Sequence, residues 1–191
     1  MGTHSHHHDY NFSERFEFAG IAKILSLVAI VVGIAAVALG MLSKDHIMVE
    51  RTYANLLLMG YYFTCVCAAG AFFLALQMVT QSAWSAGLIR IPQAMASILP
   101  IASVILLIIV ALGLTSHNLY HHWNAEGLTD PNSPHYDKLV AGKAAFLNVP
   151  GFLIRQILFM GTYSIFAVIL AKLSYNEDLV GGLTSYKKSF K

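Results

Sequence analysis

Charged residues are scarce in this sequence, and the few that occur are clustered. Of the 191 residues, 57% are hydrophobic and 12% are charged, whereas a soluble domain has about 45–50% and about 25%. Four long segments lack Asp, Glu, Lys and Arg altogether: 24–43, 52–89, 91–125 and 156–171. Too few charges remain to cover a water-facing surface. This distribution excludes a soluble globule, a nucleic-acid binder and a disordered regulator, and it predicts a multi-pass membrane protein.

Cysteine and catalytic motifs are also scarce. The two cysteines, Cys65 and Cys67, point about 200° apart on a helix, so we expect neither a disulfide nor a metal pair. The sequence has no CxxC, phosphate-loop, zinc or nucleophile-elbow motif. No Asp or Glu lies inside the spans predicted below, so the chain alone has no carboxylate relay of the kind a proton pump uses. We therefore expect no catalysis by the isolated chain.

Four segments are long and apolar enough to cross a bilayer, which takes about 20 residues of helix. They predict an all-α integral membrane protein, a bundle of four transmembrane helices. The predicted spans are 21–42, 53–79, 95–116 and 151–173. The remaining segments are a polar, histidine-rich tail at 1–20, an extramembrane loop at 117–150 and a basic C-terminal segment at 174–191.

An even number of spans places both termini on one side of the membrane. Seven Lys and Arg residues lie on that side and five on the other, which favours cytoplasmic termini under the positive-inside rule. The histidines at positions 4 and 6–8 either chelate a divalent metal or belong to a flexible tail, which is the interpretation we favour. Pro100 in the third span either kinks the helix or opens a polar spot near a quinone or proton path.

Polar residues between the second and third spans are the first candidate functional residues. Gln77, Gln81 and Trp84 are spaced i, i+4 and i+7, so they share one face if the second helix continues past Val79. Arg90 follows in the connection to the third span. We take these residues as candidate functional residues because they are among the few strongly polar groups near the spans.

A second group of candidates begins the fourth span. Arg155 at this position must reach the interface, pair with a carboxylate or face a wet cavity, and Gln156 follows it. Glu126 and Asp137 are its predicted ion-pair partners. The alternative is that Arg155 and Gln156 contact a substrate or take part in proton transfer.

Two histidines follow the third span. His117 and His121 are four residues apart, which places both imidazoles on one helical face, where they could ligate haem or a metal. Haem in a helical bundle usually takes ligands from two facing helices, and no predicted span contains a histidine. We favour a surface cluster beside Trp123, and we predict no metal and no covalently bound cofactor for this chain.

Several strings, taken together, resemble one family of membrane proteins. They are QSAWSAGLIRIPQAMASILP (81–100), SHNLYHHW (116–123), DKLVAGKAAFLNVPGFLIRQ (137–156) and SYKKSFK (185–191). In order and spacing they resemble the smaller of the two large membrane subunits of alternative complex III, the bacterial quinol:cytochrome c oxidoreductase. That family belongs to the superfamily of polysulfide-reductase-type membrane anchors, and its members have about ten membrane-length spans. The resemblance therefore implies that the four spans are the N-terminal portion of a larger or split subunit.

The resemblance also implies a function and partners. It implies a non-redox subunit of a respiratory complex in the bacterial cytoplasmic membrane, a scaffold and quinone-side anchor with a candidate proton path. Quinone or menaquinone is the candidate ligand. The residues that the resemblance makes candidates for a quinone site or a proton path are Gln77, Gln81, Trp84, Arg90, His117, His121, Arg155 and Gln156. The implied partners are a sister quinone-binding membrane subunit and periplasmic subunits that carry haem c and iron–sulfur clusters.

Two other hypotheses stay open. A small multi-pass transporter or channel, acting as a homo-oligomer, would also use a compact bundle with a proline in one helix. A haem-binding four-helix subunit would use His117 or His121 as a ligand. The transporter or channel would function without the partners that the resemblance implies, and the haem-binding subunit would show a haem absorption spectrum when purified.

Overall fold

The structure is a computed structural model in which helices account for all regular secondary structure among the described residues. It describes residues 18, 20–80, 84–85, 87–116 and 119–180, and only the backbone of 121–122 and 177–180. The helices are α1 (Ile21–Met41), α2 (His46–Thr80), α3 (Arg90–Thr115), α4 (His121–Asn124), α5 (Lys138–Ala141) and α6 (Val149–Val180).

Four of these helices, α1, α2, α3 and α6, are long and apolar enough to cross a membrane. The predicted all-α class with four transmembrane helices is confirmed. Helices are the expected solution because a helix satisfies its own backbone hydrogen bonds where lipid cannot. The 35-residue α2 measures about 52 Å at 1.5 Å per residue, which is longer than a hydrocarbon core of about 30 Å. Its ends therefore extend beyond the hydrocarbon.

The chain divides into two units, one that ends at Leu42 and one that begins at Ser43. The described part of the first unit is built on the single helix α1. The second unit contains the other three long helices, and α3 packs against both α2 and α6. The Asp45 carboxylate begins α2 by accepting the Ile47 N–H at 3.0 Å, as an N-cap residue does.

Small residues allow the helices of the second unit to approach closely. At Gly70 of α2, a Cβ atom would lie 2.6 Å from the Met95 Cβ and 3.0 Å from the Pro92 carbonyl oxygen of α3. Small residues at such contacts are typical of membrane helices, where close packing replaces the hydrophobic effect. The surrounding core contains Cys67, Ala71, Leu74, Ala96, Leu99, Ala167 and Ala171.

A second apolar cluster lies further along α3 and contains Leu106, Val110 and Leu114. Part of the connection between α3 and α6 packs on it through Tyr120 and Trp123. Pro100 lies inside α3, which continues through it without a break in the helix. The proline therefore stands between the two clusters of one continuous helix.

The cysteines behave as the helical spacing predicts. Both are free, Cys67 being buried and Cys65 exposed. Two thiols on different sides of α2 cannot form a disulfide with each other.

Candidate functional site

Two side-chain hydrogen bonds show how α3 lies against α6. The Gln93 Nε2 atom donates to the Ser174 Oγ atom at 2.5 Å. The Ser164 Oγ atom donates to the Ser103 Oγ atom at 3.2 Å. Residue numbers rise along α3 as they fall along α6, so the two helices are antiparallel.

This antiparallel arrangement separates the predicted site residues into two groups. Arg155 precedes Ser174 on α6 by 19 residues, which is about 28 Å along a helix axis at 1.5 Å per residue. Arg90 begins α3 near Ser174, at the opposite end of α6 from Arg155. We call these the Arg90 end and the Arg155 end. No single site in the described residues can therefore use both arginines.

Gln93 organises the Arg90 end. Its side chain is 7% exposed, and its Oε1 atom accepts a hydrogen bond from the Arg90 Nη1 atom at 3.3 Å. Its amide group also donates to Ser174 of α6. The Arg90 guanidinium carbon lies 5.5 Å from the centroid of the Tyr175 ring, within the range of a cation–π contact. Gln93 and Tyr175 thus hold Arg90 between α3 and α6.

A cleft of about 500 Å³ opens between α3 and α6 at this end. Two cationic side chains, Arg90 and Lys172, line it together with polar and small apolar residues. Among the described residues that line the cleft there is no Asp or Glu. The lining residues are Arg90, Gln93, Ala94, Ser97, Val168, Ala171, Lys172, Tyr175 and Asn176.

Arg90 was predicted as a site residue from the sequence, whereas Gln93, Lys172 and Tyr175 were missed. A signal for Gln93 was present, because Arg90, Gln93 and Ser97 are spaced i, i+3 and i+7 and so share a face of α3. No such signal pointed to Lys172 or Tyr175. Their place beside Arg90 depends on the antiparallel register of two helices that are distant in sequence.

The predicted stripe from Gln77 to Trp84 is described only at its two ends. Helix α2 ends at Thr80, and Trp84 lies in the following turn with 71% of its surface exposed. Its ring packs edge-on against Phe73, with ring centroids 6.5 Å apart. Gln77 is buried near the end of α2, and Gln81 lies outside the described residues. The interpretation of these three residues as one face therefore stays a prediction.

Arg155 does not pair with a carboxylate among the described residues, and the predicted ion pair with Glu126 or Asp137 is wrong. Its Nη2 atom donates to the Phe146 carbonyl oxygen at 2.7 Å, and its guanidinium carbon lies 3.9 Å from the Phe146 ring centroid. A carbonyl and an aromatic face satisfy the cation instead. Asp137 accepts the Leu139 N–H at 2.8 Å and so caps α5.

Gln156, the other predicted residue at the Arg155 end, is half-buried on α6. Helix α6 begins just after Asn148, whose Oδ1 atom accepts the Gly151 N–H at 2.7 Å. Arg155 thus ties the connection to the start of α6, whereas Gln156 forms no side-chain hydrogen bond among the described residues.

An aromatic cluster closes the Arg155 end. The ring centroids of Tyr120, Trp123 and Phe152 lie 5.6–6.0 Å apart. Tyr120 has a φ of 64°, which turns the chain sharply after α3. Burial raises the pKa of its phenol above the ordinary value. Trp123 packs the connection onto α6 through its contact with Phe152.

The histidine candidates at this end are only partly described. His117 lies outside the described residues, and His121 is the first residue of α4, with its backbone alone described. The described residues contain no group of three or more His, Cys, Asp or Glu side chains that could hold a metal ion.

No protein-family model matches the chain, and a search of curated proteins gives no match.

Proposed function

We propose that the chain is an integral membrane subunit of a respiratory quinol:cytochrome c oxidoreductase, or of a relative that uses another electron acceptor. In this proposal it lies in the bacterial cytoplasmic membrane with both termini in the cytoplasm. It serves as a scaffold and quinone-side anchor for a sister quinone-binding subunit and for periplasmic haem c and iron–sulfur subunits. The proposal is supported by the strings that resemble the smaller of the two large membrane subunits of alternative complex III. Four membrane-length helices are compatible with it.

The polar pairs within the helices favour a scaffold over a quinol-oxidising pocket. Gln93 of α3 bonds to Ser174 of α6, Ser103 bonds to Ser164, and the Thr64 hydroxyl of α2 reaches the Ala102 carbonyl of α3 at 3.4 Å. Among the described residues, no buried side-chain nitrogen or oxygen lacks a hydrogen-bond partner. Polar groups paired across helices stabilise the association of membrane helices. This pairing is the observation that carries the scaffold role.

The buried face of α3 is poorly suited to conduct protons alone. Beyond Ser103, the buried residues of α3 are Leu106, Val110, Gly113 and Leu114, none of which can relay a proton. From Ser103 to Thr115 the helix covers about 18 Å at 1.5 Å per residue. A proton path that used the polar groups of α3 would therefore need water or side chains from other helices to cross this apolar layer.

Removal and restoration of the chain tests the proposal. Membranes from cells that lack it should lose quinol-dependent reduction of the electron acceptor, and the partner subunits should disappear from the assembled complex on native gels. Re-expression of the chain should restore both. Normal quinol oxidation without the chain would refute the proposal.

A second arm addresses the homo-oligomeric transporter or channel. The purified chain, reconstituted alone in liposomes, should show no ion or solute flux above that of empty liposomes. Flux that scales with the amount of self-associated chain would favour the transporter.

A further inference from the structure

The cleft at the Arg90 end has the chemistry of a site for an anionic group. It places Arg90 of α3 and Lys172 of α6 on two facing helices. Asn176 and Tyr175 add hydrogen-bonding groups to the same lining. Arginine is suited to phosphate because its planar guanidinium matches the oxygens of a phosphate group.

The Arg90 side chain is held in place before any ligand arrives. The buried amide of Gln93 joins Arg90 to Ser174 on the opposite helix, and Tyr175 lies against the guanidinium. A fixed cation loses less conformational entropy on binding than a mobile one. This arrangement distinguishes the cleft from a diffuse patch of surface lysines.

The position of the cleft matches an amphiphile. Arg90 is the first residue of α3, and Lys172 lies close to it, near Ser174. Val168 and Ala171 continue the lining with apolar surface. From Ser174 to Ser164, the α6 partner of Ser103, the helix covers about 15 Å. A headgroup at the cations would thus have an apolar helix surface below it for acyl chains.

We propose that this cleft binds the phosphodiester group of an anionic phospholipid, with Arg90 and Lys172 as its charge partners. Basic pockets between membrane helices are known to bind anionic headgroups. Two cations favour an anionic lipid over a zwitterionic one, whose own ammonium group is repelled. A quinone head offers only neutral carbonyl oxygens, so it gains less from two cations. The proposal does not depend on the complex to which the chain belongs.

The test uses the purified full-length chain in a neutral detergent and native mass spectrometry. Dioleoyl phosphatidylglycerol is the anionic probe, and dioleoyl phosphatidylcholine is the zwitterionic control. We expect one phosphatidylglycerol to be retained with clear preference over phosphatidylcholine. Equal retention of the two lipids would overturn the proposal.

Charge-matched variants locate the site. Arg90→Gln with Lys172→Gln should weaken phosphatidylglycerol binding about 25-fold, at about fivefold for each cation near a membrane surface. Lys138→Gln with Lys143→Gln removes the same charge from exposed positions in the connection between α3 and α6 and should leave binding unchanged. An equal loss in both double variants would overturn the proposed site.

Further arms separate the ligand sources and guard against misfolding. Lys172 forms no side-chain hydrogen bond or ion pair among the described residues, so Lys172→Gln alone should fold and still weaken binding about fivefold. Inorganic phosphate at millimolar concentration should not displace the lipid. Displacement by phosphate would identify a free-phosphate site, and displacement by a short-chain quinone would identify a quinone site. Either displacement would contradict the proposal.

Discussion

The close contact at Gly70 yields the sharpest stability prediction. A Cβ atom at this position would lie 2.6 Å from the Met95 Cβ and 3.0 Å from the Pro92 carbonyl oxygen, whereas carbon atoms pack best at about 3.5–4.0 Å. Neither neighbour is the flexible end of a side chain. The substitution Gly70→Ala must therefore move α2 away from α3 by about 1 Å.

A matched glycine isolates the packing cost. At Gly161 of α6, a Cβ atom would meet nothing within 4 Å. Both positions are inside membrane helices, so the gain of about 1 kcal/mol in helix propensity from Gly to Ala largely cancels between the two variants. Overpacking typically costs about 1–3 kcal/mol. We expect Gly70→Ala to be less stable than Gly161→Ala by about that amount.

The assay is reversible unfolding in mixed micelles with a rising fraction of dodecyl sulfate, followed by circular dichroism and tryptophan fluorescence. Gly60→Ala provides an intermediate case, because its Cβ would lie 3.1 Å from the flexible Ile109 Cδ1 atom. From the most to the least stable variant, we expect the order Gly161→Ala, Gly60→Ala, Gly70→Ala. Equal stability of the Gly70 and Gly161 variants would refute the close packing of α2 on α3.

Substitutions at three further positions test other contacts in the same unfolding assay. Gln93→Leu should lower the free energy of unfolding by about 0.6–1.7 kcal/mol, the range measured for interhelical hydrogen bonds in membranes; an unchanged free energy would argue against a stabilising bond to Ser174. Arg155→Leu should lower the free energy of unfolding by about 1 kcal/mol, because the hydrogen bond to the Phe146 carbonyl and the contact with the Phe146 ring are lost. Arg155→Lys should recover only part of this stability, because an ammonium group lacks the planar face of a guanidinium. Stability equal to wild type in both variants would contradict this account. Burial raises the pKa of the Tyr120 phenol in the folded protein. The stabilisation that comes from the neutral phenol is fully present below the ordinary pKa of about 10. It is lost as the pH rises through the higher pKa of the folded state. Above pH 10, the free energy of unfolding of Tyr120→Phe should therefore fall less steeply with rising pH than that of the wild type. Identical pH profiles would count against burial of the phenol.

The long helices could be predicted from the sequence because lipid imposes a simple requirement on composition. Charge-free segments of membrane length form helices whatever their detailed sequence. Hydropathy reports the part of a helix that is apolar, however, and not where its hydrogen bonds end. Helix α2 begins at His46, before the apolar segment that starts at Tyr53, because Asp45 caps it outside that segment.

The candidate site could be predicted only in part. Arg155 was identified as a residue that needs a partner, but opposite charge suggested carboxylates, and the structure provides the Phe146 carbonyl and ring instead. The Arg90 cleft depends on the register between α3 and α6. That register is set by side-chain packing and by the bond from Gln93 to Ser174, which no local pattern in the sequence encodes.

The most direct test of the proposed function is to isolate the chain with its partners. Native membranes would be extracted in a gentle detergent, the complex captured through this chain, and the product examined by mass spectrometry and by a reduced-minus-oxidised absorption spectrum. We expect a coloured preparation that contains multihaem c and iron–sulfur subunits together with a second multi-pass subunit. A colourless preparation that contains only self-associated copies of this chain would contradict the proposed function.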